Sequence, residues 1–221
     1  MKQVIVAFGG SFNPPTNSHF SLAEQIYCSF EQVDCVMFIP VSDLYPKKDL
    51  LSAEYRIKML QLVCERNPYF KVSTIEARAP ILLNSIETLR RLQAYYKDHE
   101  IWLTLGSDNL KVLTSWPGYQ EILEKFRCLV LERSEDKVDE IVAGNPILKQ
   151  YRDRFIKVKE SIHSDASATL LRNKLREGKS IRYMLPDEVY FYIKEKGLYT
   201  IIETAHNKIG KNDTLWYNEN N

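Results

Sequence analysis

The residues best placed to do chemistry lie near the N-terminus. There Gly9-Gly10-Ser11-Phe12-Asn13-Pro14-Pro15-Thr16-Asn17-Ser18-His19 joins an apolar run over 4–8 to a stretch that reads as a helix over 17–29. Two glycines at the end of a strand let the backbone turn sharply and come close to a ligand, and the following helix offers N–H groups with no intrahelical partner. Such an end takes an anion, and phosphate is the expected guest. His19 falls in the first turn of that helix, where its ring can hydrogen-bond a phosphate held there, and Pro14-Pro15 stiffens the approach. The spacing is neither the glycine fingerprint of dinucleotide dehydrogenases nor a P-loop, which needs Lys-Ser/Thr after its last glycine.

A second group lies late in the chain. Hydroxyls at Ser167 and Thr169 open a helix and Arg172 projects about one turn further on, so N–H groups, hydroxyls and a guanidinium are offered to one polyphosphate. The elements that must bring the two groups together are short apolar or β-branched runs over 4–8, 33–39, 70–75, 101–105, 128–131 and 155–158, alternating with amphipathic stretches. Among the latter, 52–66 has Ser52 as its N-cap, and 84–96 carries Asn84 and Glu87 at capping-box spacing. The alternation predicts an α/β fold, a doubly wound parallel sheet.

At 221 residues the chain supports one sizeable core. A net charge of +1 with 27% charged residues gives no global basic field, which argues against nucleic acid as a partner. No run reaches the roughly 18 apolar residues of a membrane span, and only about five precede Gly9, too few for a secretory leader. A cytoplasmic protein with no membrane partner is expected. Cys28, Cys35, Cys64 and Cys128 are widely spaced, show neither metal-ligand nor disulfide patterning, and read as small buried thiols.

The N-terminal segment resembles the GxFxPxHxGH signature of the nucleotidyltransferase superfamily, in particular the nicotinate and nicotinamide mononucleotide adenylyltransferases. Thr16 stands for the first histidine and Ser18 for the glycine. The run from Ser167 to Arg172 resembles that family's ISSTxxR element, with Ala168 in place of the second serine, and EGKSIRYMLPDEVYFYIKEKGLY after it is very like the C-terminal end of the bacterial nicotinate enzymes. Weaker matches lie between. The run from Pro40 to Lys48 resembles PxxxPPHK, whose lysine, here Lys47 or Lys48, lies near the phosphates; Arg56, Met59 and Leu60 match RxxML. Asn84 and Ser85 replace the tyrosine and threonine of SYTxDTL, and Arg133 matches the arginine of VxxRPG. Gly106 and Asp108 match a G-x-D element, and Trp116 follows eight residues after the aspartate, as in the family. Together the matches cover about nine tenths of the chain.

The resemblance implies a Rossmann-like sheet of order 3-2-1-4-5 plus an extra strand, with a helical C-terminal portion at about 165–199. One nucleotidyltransferase domain would span 1–200, followed by a polar tail over 201–221. Ligands in such sheets lie where strand order reverses, here between the strands ending at Phe8 and Leu105. The implied enzyme joins the AMP moiety of ATP to nicotinate mononucleotide, giving deamido-NAD and pyrophosphate in NAD biosynthesis. Both reactants are ionised at neutral pH, so the protein supplies alignment and charge stabilisation, not a nucleophile. In this scheme His19, helped by Thr16, donates a hydrogen bond to the α-phosphate, while Arg172, Thr169 and Ser167 hold the β- and γ-phosphates. Gly9, Gly10, Ser11, Phe12, Lys47, Gly106, Asp108 and Arg133 complete the ATP site, with Asp108 taking a ribose hydroxyl. Asn13, Ser85 and Trp116 contact the mononucleotide, Trp116 stacking on its pyridine ring and Ser85 reading its carboxylate. Mg²⁺ rides mainly on phosphate and water oxygens, with no cage of protein carboxylates. Pro117 has no N–H to offer that carboxylate, so nicotinamide mononucleotide or dual use stays open, as do a non-catalytic nucleotide sensor and a homo-oligomeric state.

Overall fold

Consecutive residues of the first strand are buried on opposite sides: Val4, Val6 and Phe8 join one apolar cluster, Ile5 and Ala7 another. A strand covered on both faces has no polar alternation, which is why these segments read as unbroken apolar runs. The computed structural model of the protein describes residues 3–132, 136–158 and 167–199. Its strands are β1 (Val4–Gly10), β2 (Val33–Pro40), β3 (Phe70–Val72), β4 (Glu100–Gly106), β5 (Arg127–Leu131) and β6 (Phe155–Lys157). The helices are α1 (Asn17–Ser29), α2 (Ala53–Cys64), α3 (Ser85–Tyr95), α4 (Ser107–Val112), α5 (Tyr119–Lys125), α6 (Val138–Gly144), α7 (Pro146–Gln150), α8 (Ala168–Arg176) and α9 (Asp187–Lys196).

The strands form one sheet in the order β3-β2-β1-β4-β5-β6, every pairing parallel. The expected order and the extra strand are both present. Phe20, Ala23 and Ile26 of α1 and Leu60 of α2 cover the Val6 face; Leu89 of α3, Leu110 of α4, Leu123 of α5 and Leu148 of α7 cover the Ala7 face. Chain order therefore reverses between β1 and β4, and the loops leaving these two strands diverge to form a crevice at their carboxyl ends. A third cluster joins Met59 of α2 to Leu171 of α8, Ile181, Leu185, and Val189 and Ile193 of α9, fixing the C-terminal helices against the back of α2.

Several boundaries differ from expectation. The third strand ends at Val72, not 75: Ser73 N–H still donates to Phe38 O (2.9 Å), but Ser73 Oγ then accepts from Ile75 N (3.4 Å) and the chain turns away. Ser52 precedes α2 without a side-chain cap; the carboxylate of Asp43 accepts from Ala53 N instead (2.6 Å). The α3 capping box forms as read, Glu87 N to Asn84 Oδ1 (3.1 Å) and Asn84 N to Glu87 Oε2 (2.9 Å). Cys35 and Cys128 are buried, and burial pushes their thiols up to about 11 and about 12; Cys28 is exposed, contrary to the expectation of a buried thiol. Among the described residues, no helix is long and apolar enough to cross a membrane.

Candidate active site

The turn after β1 is built by its own aromatic residue. Phe12 has φ +44°, a left-handed conformation that a bulky residue adopts only when its surroundings demand it. Its ring is buried against Phe8, Phe38 and His19, with centroids 6.0, 5.6 and 5.1 Å away. Gly10 leaves room beneath it: a Cβ there would lie 3.0 Å from the Phe12 ring, which would have to give by a few tenths of an ångström. The ring thus packs one side of the His19 imidazole, and Thr16 holds its Nδ1. The Thr16 N–H donates to that nitrogen (3.0 Å) and the Thr16 hydroxyl lies 2.8 Å from it. With Nδ1 accepting, the neutral imidazole carries its proton on Nε2, the tautomer needed for a ring that donates outward. Thr16 itself is fully buried, and what its hydroxyl and N–H face is the His19 ring.

The lysine and the two arginines converge on the same loop. Lys47 Nζ donates to Ser11 Oγ (2.8 Å), which places Lys47 against the loop after β1. Burial, together with the nearby Arg172 and Arg56 guanidiniums, holds its ammonium below the usual lysine range. Arg172 is 5% exposed; its Nη1 donates to Asn13 O (2.8 Å) and its Nη2 to Thr169 Oγ1 (3.3 Å). Its Nε is buried without a partner, and it has no carboxylate partner among the described residues. Ser167 Oγ accepts from Leu170 N (3.2 Å) as the cap of α8.

Sequence reasoning gave no role to Arg56, which is fully buried in α2. Its Nε donates to Leu51 O (2.6 Å), Nη1 to Ser11 O (3.0 Å), and Nη2 to Val41 O (2.8 Å) and Asp43 Oδ1 (2.9 Å). One side chain therefore fixes the loop after β1, the loop after β2 and the entry to α2. Its position is a legible signal in retrospect: Arg56 shares a helix stripe with the buried Met59 and Leu60. Asn17 was also missed. Its N–H donates to Met184 O (3.2 Å) and its side-chain amide to Tyr183 O (3.0 Å), seating the IRYMLP loop on the start of α1.

Asn13 requires a correction. Expected to contact the mononucleotide, it is completely buried: Nδ2 donates to Asp49 O (2.7 Å), while Oδ1 accepts from Leu51 N (3.3 Å) and Tyr199 Oη (2.8 Å). Protein groups thus take three of the four hydrogen-bonding positions of its amide, and the side chain is closed off from the crevice. Gly9 is exposed, and Gly106 ends β4 as the N-cap of α4, with Asp108 exposed in that helix's first turn on the other side of the crevice. Ser85 opens α3, and Trp116, half-buried, packs on the same core cluster as Ile86 of that helix. Gly118 brings the two together, as its φ of +70° turns the chain directly against Ile86. Arg133 and the segment 201–221 lie outside the described residues. A concavity of about 1030 Å³ runs along α2 and α9 past Lys58, Phe191 and Glu195. It contains none of the sequence-predicted site residues, and it is the convergence of donors, not cavity size, that marks the site.

Residues 7–174 match the cytidylyltransferase-like family. A probable nicotinate-nucleotide adenylyltransferase of Citrifermentans bemidjiense is 31% identical over 208 residues, covering 86% of this chain and 95% of the relative. One from Caldicellulosiruptor saccharolyticus is 34% identical over 197 residues, covering 88% and 98%. Among solved structures, the Plasmodium falciparum nicotinic acid mononucleotide adenylyltransferase complexed with NaAD has the same fold, with a TM-score of 0.74 at 17% identity over 89% of this chain and 97% of that one. With its crevice, its donors and its sequence matched over nearly the whole length of these relatives, the chain belongs to the nicotinate-nucleotide adenylyltransferase family.

Proposed function

We propose that this chain transfers the AMP moiety of ATP to nicotinate mononucleotide, forming deamido-NAD and releasing pyrophosphate. The observation that carries the proposal is the buried Arg172 guanidinium, whose charge no described carboxylate offsets, together with Lys47, whose ammonium is held below its usual range beside it. Cations kept this way are stabilised by an incoming polyanion. The mononucleotide 5′-phosphate oxygen attacks the α-phosphorus in line, and pyrophosphate departs. His19 donates from Nε2 to the α-phosphate as charge builds, held in that tautomer by Thr16. Lys47, Arg172 and Thr169 engage the departing β- and γ-phosphates, and the amides of Ser11 and Phe12 border the reaction centre. Gly106 and Asp108 face the ribose, and Ser85 and Trp116 the pyridine. ATP enters as its magnesium complex. The cationic donor set suits the phosphates, and among the described residues no cluster of three His, Cys, Asp or Glu is placed to grip the ion itself. Catalysis then occupies a single domain over 1–200, working in the cytoplasm, with 201–221 as an appendage.

Pro117 supports one competing reading. Without an amide N–H after Trp116, one donor to a nicotinate carboxylate is missing, and nicotinamide mononucleotide is the acceptor that loses least. Pyrophosphate release from ATP and Mg²⁺, with the two mononucleotides offered in parallel and His19→Ala as control, decides. The expected result is turnover with the acid and a loss of about a hundredfold or more in His19→Ala, the usual cost of a preorganised donor. Turnover with the amide alone moves the chain to the nicotinamide branch. Near-normal turnover in His19→Ala refutes the role given to His19.

A further inference from the structure

Four parts of the chain meet at one buried amide. Asn13 Oδ1 accepts from Leu51 N (3.3 Å) and Tyr199 Oη (2.8 Å), and its Nδ2 donates to Asp49 O (2.7 Å). The same residue's main-chain carbonyl accepts from Arg172 Nη1 (2.8 Å). Only an amide satisfies this arrangement, since a carboxylate would set an oxygen against the Asp49 carbonyl and an aliphatic side chain would leave Leu51 N and Tyr199 Oη unpaired. Arg172 has one other protein partner that its geometry reaches, the Thr169 hydroxyl at 3.3 Å. The orientation of its guanidinium therefore depends chiefly on where the Asn13 peptide sits.

We infer that Tyr199 is a positioning residue for ATP binding, its hydroxyl locking Asn13 so that the Asn13 carbonyl holds Arg172 in the geometry that receives the phosphates. This rests on the adenylyltransferase reading for the identity of the ligand. Tyr199 is suited to the task. It stands at φ +64°, turning its ring back into the protein immediately after the αL residue Gly197 and the buried Leu198. Burial keeps its hydroxyl protonated well above the usual tyrosine range even though Arg172 and Arg56 pull the other way, so it donates at every pH at which the enzyme works. The end of the α9 segment is thereby tied to the loop after β1 and to the Lys47 loop, whose Asp49 and Leu51 share the same amide.

Tyr199→Phe deletes only the hydroxyl and keeps the packed ring. Asn13 Oδ1 retains Leu51 N, so the variant folds. By calorimetry with the non-hydrolysable ATP analogue in which CH₂ replaces the α,β-bridging oxygen, the dissociation constant should rise about fivefold, the loss expected for one buried hydrogen bond. In turnover, KM for ATP should rise by a similar factor and KM for the mononucleotide should stay within about twofold. In an Arg172→Lys background the same substitution should change analogue binding by less than about twofold, because the group it positions is gone. Unchanged analogue binding in Tyr199→Phe, equal increases in both KM values, or a full effect that persists in Arg172→Lys would each overturn the inference. Calorimetry needs no turnover, so failure of the acceptor assignment would show as inactive wild-type protein that still binds the analogue, leaving the Tyr199 comparison to be read on its own.

Discussion

Gly118→Ala tests how the turn after Trp116, proposed above to face the pyridine, is held. Gly118 lies two residues after Trp116 and makes the turn into α5, with Ile122 N donating back to its carbonyl (3.1 Å). At φ +70° an alanine pays the left-handed penalty of about 1–2 kcal/mol. Its Cβ would also lie 2.7 Å from Ile86 Cγ2, a contact that cannot persist, and Ile86 is only 3% exposed in the core beneath α3. Overpacking of that kind adds about 1–3 kcal/mol. The sum, about 2–5 kcal/mol, should appear as a lower midpoint in equilibrium urea unfolding with an unchanged slope. The two contributions separate in a double-mutant cycle. Ile86→Ala removes the clashing methyl and keeps only the Cβ at 3.2 Å, so in that background Gly118→Ala should cost mainly the backbone part, leaving a coupling of about 1–3 kcal/mol. The relief of strain must come from either Ile86 or the Trp116 turn. KM for the mononucleotide should therefore rise while KM for ATP stays within about twofold. A cost below about 1 kcal/mol, or the same cost in both backgrounds, would show that Ile86 does not set this turn.

Two further outcomes follow from titrating groups. Lys47 holds its proton less firmly than an ordinary lysine because of burial and the neighbouring Arg172 and Arg56. The charged form is the one that grips phosphate, so KM for ATP should climb as pH rises through this lowered pKa, below the range of a free lysine. Lys47→Arg should flatten the alkaline limb of a KM–pH profile, and a limb that persists in that variant assigns it to another group. Glu76 is a carboxylate raised by burial, against the opposing hydrogen bond from Thr88 Oγ1 (2.8 Å). A raised carboxylate pKa means that the folded state takes up a proton more readily than the unfolded chain, so at neutral pH Glu76 weakens the fold and the penalty fades as pH falls through the raised value. Glu76→Gln keeps an acceptor for Thr88 and should stabilise by up to about 1 kcal/mol at pH 7, a gain of about 2–4 °C in a chain of this size, with no advantage in acid. A lower melting temperature at pH 7 would contradict this.

The strands and the first helix were legible because each rests on local chemistry, whereas the order of the strands was what the family resemblance implied. Apolar runs buried on both faces carry their own signature, and the Thr16–His19 pairing that starts α1 lies within four residues. The end of β3 was not legible, since it depends on a serine reached only after the strand pairs with β2. Within the candidate site, His19, Thr16, Ser11 and Arg172 were singled out in the sequence because residues of these types at a strand-to-helix turn suit phosphate. Arg56, Asn13 and Tyr199 were missed or misassigned because their partners lie on segments that the tertiary fold alone brings near, mostly main-chain groups for Arg56 and Asn13 and the Asn13 side chain for Tyr199. A backbone carbonyl has no letter in the sequence. What remained readable was the anomaly of a charged residue on an apolar helix stripe.

That choice of partner bears on how the site works. Fixing Arg56 and Arg172 with carboxylates would have given a firm scaffold and cancelled the charge the reaction needs. The carbonyls of Ser11, Val41, Leu51 and Asn13 take most of the bonded guanidinium N–H groups without adding a counter-charge, and Asp43, half-exposed at the rim and paired with Arg56, is the one described carboxylate bonded to the two arginines. The cost is visible in Lys47, whose ammonium is disfavoured by the same arginines that will share its ligand. Geometry and charge are thus supplied separately, geometry by the backbone and charge by side chains that repel one another, an arrangement that suits the polyphosphate of the proposed reaction. A neutral ligand of the same shape would meet the positioned donors but relieve none of this repulsion, so the architecture itself favours the triphosphate over an uncharged nucleoside.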